Sequence, residues 1–139
     1  MRLNQVSNVI VFEAAVGEQC GIDTFEEMDS NSEGRLSPEG KLKVKVVVLD
    51  ELVLSGEIPP PDFIKIDVEG AEVSVLFGSK RMLLRHHPTI FLATHGIEIH
   101  RQCCDFLTSS GYHLESIDGE KDVYNTDEIL ACRGRNGKE

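Results

Sequence analysis

Hydrophobic positions in this chain fall into short runs separated by polar, glycine- and proline-bearing stretches, and their period switches between two and about 3.6. Val9-Ile10-Val11-Phe12-Glu13-Ala14-Ala15-Val16 is a mostly apolar run stopped by Gly17, which predicts a largely buried strand. Ile22 to Met28 is a weaker extended segment. Asp29 to Gly40 is rich in Ser, Asn, Glu and Gly and predicts a mobile surface loop over residues 29–40. Leu42 to Val48 alternates and then turns wholly apolar, the pattern of a strand. Leu49 to Leu54 predicts a short helix with Asp50 as its cap. Pro59-Pro60-Pro61-Asp62 is a stiff connector into Phe63-Ile64-Lys65-Ile66-Asp67, read as a buried strand that ends in a carboxylate.

Ala71 to Arg85 predicts one helix. Val73, Leu76, Phe77, Leu83 and Leu84 recur at helical spacing, and Lys80, Arg81 and Arg85 lie near the end that the helix dipole makes negative. Gly78 inside it costs about 1 kcal/mol relative to alanine. Pro88 stops that element, and Thr89 to Thr94 predicts a second buried strand running into His95-Gly96. Ile99, Cys103, Phe106 and Leu107 mark the face of a further helix ended by Gly111. Tyr112 to Ile117 and Glu128 to Cys132 read as two last strands, with a frayed polar tail over residues 133–139.

Alternating strands and helices predict an α/β fold with a mostly parallel sheet, because crossover helices join strands that run the same way. The last two strands have no helical pattern between them and should pair antiparallel. At 139 residues the chain suits a single domain, 1–139, with a real core.

Charge narrows the partners. With 14 basic and 24 acidic residues the formal net charge is -10, and the basic clusters are short. A nucleic-acid partner is therefore not expected, since that role takes a basic surface. The longest apolar stretch, Val44 to Leu49, is interrupted by Lys45 and is far too short for a bilayer, so no membrane partner is expected. No apolar run of signal-peptide type follows Met1, which predicts a cytoplasmic location and reduced thiols at Cys20, Cys103, Cys104 and Cys132.

The candidate chemistry lies where strands end. In open α/β sheets, ligands bind outside the carboxyl ends of the strands. Asp67 stands at such an end, Glu69 in the following turn, and His95 just after the next strand, so the three should line one edge. Asp67 could position a hydroxyl or accept its proton, Glu69 could serve as a second acid, and His95 could act as a base near neutral pH. Glu72 fits better as a first-turn acid stabilised by the helix dipole. The same three side chains would also suit a hard cation, but the spacing does not require one and no metal is assigned.

These residues carry a family resemblance. Val48-Leu49-Asp50-Glu51-Leu52, then Pro61 to Glu72 with its Ile-Asp-Val-Glu-Gly-Ala-Glu signature, then Val75-Leu76-Phe77-Gly78, resemble the FkbM family of methyltransferases. Pro88 before a hydrophobic strand, His95 after it and Gly111-Tyr112 follow in the same order, so the resemblance runs from about Asn8 to Cys132. It implies a partial Rossmann-like class I methyltransferase fold, S-adenosylmethionine as cofactor, and a saccharide or small-molecule hydroxyl as acceptor. It also implies Asp67, Glu69 and His95 as catalytic residues, and cofactor contacts at Ala15, Val16 and Asp67.

One departure stands out. The family's glycine-rich loop and acid-terminated strand, which hold the cofactor, have no counterpart before Asn8. The chain is therefore expected to be a C-terminal part of the fold, weakly active or inactive alone. The strand at Phe63 should then form an exposed apolar edge open to strand pairing. The alternative expectation is a non-catalytic remnant that associates, as a homo-oligomer for instance, through that edge.

Overall fold

A computed structural model describes residues 7–27 and 34–133. Its strands form two four-stranded sheets. The first contains β1 (Ala15–Val16), β2 (Gly21–Glu27), β3 (Gly34–Leu36) and β4 (Leu42–Val47) in the spatial order β1-β4-β2-β3. The second contains β5 (Phe63–Ile66), β6 (Thr89–Ala93), β7 (Tyr112–Ser116) and β8 (Glu128–Arg133) in the order β5-β6-β8-β7.

The expectation of a mostly parallel sheet is corrected: only β1–β4 and β5–β6 pair parallel, and the other four pairings are antiparallel. The reason lies in the connections. β2 is followed by β3 and then β4 with no crossover helix between them, so neighbours reverse direction. Between β5 and β6 the chain crosses over through helices, and there the pairing is parallel. β8 inserts between β6 and β7 and runs against both, which includes the expected antiparallel β7–β8 pair.

Four further expectations change. The buried strand over Val9 to Val16 shrinks to Ala15–Val16, because β4 offers β1 partners only at Val46 and Val47. Val9, Ile10, Val11 and Phe12 are left exposed and outside any strand. The loop expected over residues 29–40 contains β3, and its Ser37 is buried. Residues 29–33 of that loop, and residues 134–139 of the tail, lie outside the described residues.

The helix expected from Ala71 to Arg85 is two helices, α2 (Glu72–Phe77) and α3 (Lys80–His86), after α1 (Leu49–Leu54). Gly78 and Ser79 separate them. A Cβ on Gly78 would sit 2.1 Å from the Gly17 carbonyl oxygen, so the chain is pressed against another backbone segment there. The break exposes a new set of unpaired N–H groups at the start of α3. Asp50 takes them: its Oδ2 accepts from Arg81 N at 2.9 Å and its Oδ1 from Met82 N at 2.7 Å. Asp50 was expected to cap its own helix, but the cap position of α1 is Val48 and makes no side-chain bond.

The core lies between one face of the second sheet and α2, α3 and α4 (Ile97–Ser109). Leu76, Leu83, Ile90, Cys103, Leu107 and Ile129 are all essentially inaccessible. His100 on α4 is buried with every ring nitrogen occupied, by Thr94 Oγ1 at 2.8 Å and by the Val123 carbonyl at 2.6 Å. That ties α4 to the end of β6 and to a 3₁₀ turn at Val123–Asn125. β5 is an edge strand among the described residues, with Phe63 69% exposed. Among the described residues no helix is long and apolar enough to cross a membrane.

Candidate active site

β5 and β6 run side by side with Ile66 opposite Leu92, so the residues that follow them emerge at the same edge of the sheet. Asp67 comes directly after β5, and His95 two residues after β6. The turn out of β5 doubles back through two left-handed residues, Glu69 at φ 51° and Gly70 at φ 100°. Glycine adopts that conformation freely, whereas a glutamate there is uncommon. The turn swings the Glu69 side chain back towards His95.

The three side chains meet as the sequence suggests. His95 Nε2 lies 3.4 Å from Glu69 Oε2 and 3.8 Å from Asp67 Oδ1. The exposed Lys65 places its Nζ 2.9 Å from Asp67 Oδ2. Asp67, Glu69 and His95 each offer one donor atom within 4.8 Å of the others. Such a set could hold a divalent cation, and it could equally receive a hydroxyl that donates its proton.

The fourth member is Glu72. Its side chain is fully buried, and its Oε1 lies 2.6 Å from His95 Nδ1 and accepts from Gly70 N at 3.1 Å. Its other oxygen, Oε2, has no hydrogen-bond partner among the described residues. Glu72 does stand in the first turn of α2, as the dipole argument holds, but that argument misses its burial and its bond to His95. The signal was present in the helix pattern, since Glu72 lies on the same buried face as Val75 and Leu76, three and four residues on. The His95 pKa is raised, first by the hydrogen bond to Glu72. Burial opposes this, and the charges of Glu69, Glu72 and Asp67 add to it.

Ala15 and Val16 stand apart from this group. They belong to the first sheet, where the adjoining Gly17 and Glu18 contact Ser74 and Gly78 towards the C-terminal end of α2. The Asp67 group gathers at the opposite end of that helix. Beside Glu69, a cleft of about 380 Å³ opens between Gly70-Ala71 and the turn Leu36-Ser37-Pro38-Glu39. A cavity of about 400 Å³ between α1 and α3 is remote from these groups, and its Asp50 is occupied by the α3 backbone.

Comparisons with known proteins bear on the family and the fold of the chain. A family model described as "Methyltransferase FkbM domain" matches residues 4–118. A curated relative, the hexuronic acid methyltransferase AglP of Haloferax volcanii, is 38% identical over 77 residues, which cover 54% of this chain and 32% of that protein. The crystal structure of a methyltransferase FkbM from Methylobacillus flagellatus KT superposes with a TM-score of 0.61 at 21% identity, over 88% of this chain and 28% of that one. That likeness bears on the fold alone. The chain spans about a third of the length of the curated relative it matches.

Proposed function

Because the chain belongs to the FkbM methyltransferase family, we propose that it takes part in methyl transfer from S-adenosylmethionine to a hydroxyl of a saccharide. The observation that carries this reading is the meeting of Asp67, Glu69 and His95 at one sheet edge, beside an open cleft. The saccharide class is favoured by the relative that methylates a hexuronic acid and by the polar side chains of Ser37, Glu39 and Glu69 around the cleft.

The donor brings an electrophilic sulfonium methyl, so the protein's tasks are to orient the acceptor oxygen and to receive its proton. Asp67 and Glu69 accept hydrogen bonds from the sugar hydroxyls and hold the reacting one in place. The neutral imidazole of His95 takes the hydroxyl proton at Nε2 as the oxygen acquires the methyl group. Ala15 and Val16 lie in the first sheet and Asp67 directly after β5, and no step is assigned to cofactor contacts through them.

The test is methyl transfer from labelled S-adenosylmethionine to saccharides bearing uronic acids, run on this chain and on a version extended upstream of Met1. The chain alone is expected to be weakly active or inactive, so the outcomes below are those of the extended version. Labelled sugar is expected, with a rate that rises with pH through the raised His95 pKa, since the neutral ring is the base. His95→Gln and Asp67→Asn should each lower kcat by about 100-fold. Wild-type kcat in both folded variants, or no transfer to any such sugar, would overturn the reading. A second reading, association through the β5 edge, is favoured by the exposure of Phe63 on a strand that, among the described residues, pairs on one side only. A sizing profile that stays monomeric at high concentration would remove it.

A further inference from the structure

Glu72 is expensive to keep. A carboxyl group with no exposure, one oxygen of which lacks a partner among the described residues, carries a desolvation penalty that its two hydrogen bonds only partly offset. An apolar residue, or an isosteric amide, would serve packing at lower cost. An unsatisfied buried group calls for a reason, and the reason is visible in its one side-chain partner. Glu72 Oε1 lies 2.6 Å from Nδ1 of His95, the ring whose far nitrogen faces Asp67 and Glu69.

We propose that Glu72 is the positioning residue of this site, fixing the orientation and tautomer of His95 so that Nδ1 carries the proton and Nε2 is presented to the acceptor hydroxyl. The inference rests on the reading of His95 as a base. In a neutral imidazole one nitrogen donates and the other accepts, and the partner of the first decides which is which. When ionised, Glu72 can only accept, so it claims the Nδ1–H. Nε2 is then a third acceptor facing two carboxylates. Three acceptors around one point are unfavourable when empty and complementary to a group that brings protons, such as a sugar hydroxyl.

The turn geometry makes the orientation stiff. Gly70 N–H donates to the same Oε1 that holds the ring, so the strand-to-helix turn and the imidazole share one anchor. Leu76 and Val75, on the same face of α2 as Glu72, are buried in the core and keep that helix in place. His95 thus takes its orientation from the core, although its own side chain is 36% exposed.

The test reads the ring directly and needs no turnover. In full-length protein labelled with ¹⁵N, long-range ¹H–¹⁵N spectra report the protonation of each imidazole nitrogen, and His95→Gln identifies the resonances of His95. Above its pKa, wild-type His95 should be the Nδ1–H tautomer. Glu72→Gln should leave thermal stability equal or higher, because an amide replaces a poorly solvated carboxylate. It should also lower the His95 pKa towards the ordinary histidine value, since the remaining neighbours are Glu69 and Asp67, the latter paired with Lys65. In the methyl-transfer assay the same variant should lose at least about tenfold in kcat with KM little changed.

A wild-type His95 found as the Nε2–H tautomer would overturn the proposal without recourse to any variant. So would a Glu72→Gln protein whose His95 titrates as in the wild type, or one that fails to fold, because the carboxylate would then be structural. Absence of methyl transfer alongside the Nδ1–H tautomer and the lowered pKa would instead refute the assignment of His95 as base, leaving the positioning of its ring established.

Discussion

Gly78→Ala sets local preference against tertiary contact, and the structure decides the sign. Within a helical pattern the replacement should stabilise, by about 1 kcal/mol on helix propensity, or by about 0.4–1 kcal/mol through the entropy of the unfolded chain. The backbone raises no objection, because Gly78 has φ -69° and ψ -6°, which alanine adopts readily. The new Cβ, however, would lie 2.1 Å from Gly17 O, 3.0 Å from Gly17 C and 3.1 Å from Glu18 Cα. The first of these is more than about 1 Å inside normal contact, and all three atoms are backbone, so no rotamer change relieves them. The opposing segment is also tethered: Gly17 N donates to Val47 O at 3.0 Å and Glu18 N to Ser74 Oγ at 2.9 Å. Overpacking costs about 1–3 kcal/mol, and each hydrogen bond loosened adds about 0.5–1.5 kcal/mol. After subtracting the local gain, the net effect is a loss of about 2 kcal/mol. Urea unfolding followed by circular dichroism measures it, as a fall in midpoint at unchanged slope. Gly21→Ala is the control, since a Cβ there meets nothing within 4 Å, and it should be close to neutral. A Gly78→Ala midpoint equal to or above that of the wild type would refute the reasoning.

Asp50→Ala removes the acceptor of two α3 backbone N–H groups and should cost about 1–2 kcal/mol, with Asp50→Asn recovering part of it in the same urea assay. Equal midpoints for wild type and Asp50→Ala would show that water replaces the cap. The cysteines should label in the order of exposure. Cys20 is exposed and should be alkylated in the native protein even though its hydrogen bond to Glu51 raises its pKa. Cys103 and Cys104 are buried, their thiols pushed up to about 12 and about 11 chiefly by burial, and should react only on unfolding. Peptide mapping after a short pulse of iodoacetamide checks this, and early modification of Cys103 would contradict the packing of α4.

Much of the candidate site was legible because it depends on sequence order. Asp67, Glu69 and His95 follow adjacent parallel strands, and the rule that strand ends share an edge brings them together once β5 and β6 are neighbours. Glu72 was harder to read. An acid in the first turn of a helix is ordinarily explained by the dipole, and only the shared face with Val75 and Leu76 hinted at burial. The bond to His95 spans 23 residues and could not be inferred from either local pattern.

Hydrophobic period and the turn residues by themselves determined most of the elements: β2, β4, β5, β6, β7, β8, α1 and α4 all fall where alternation or helical spacing puts them. Those signals arise within a few residues, from backbone preference and from the need to bury one face. Tertiary structure decided what depends on a distant partner. The length of β1 follows from the two residues β4 offers it, and the direction of most strand pairs from how the chain returns to its sheet. The break after α2 follows from the Gly17 carbonyl pressing on Gly78, and the loss of the Asp50 cap from α1 follows from that break. In each case a contact between remote segments outweighs a local preference of about 1 kcal/mol or less.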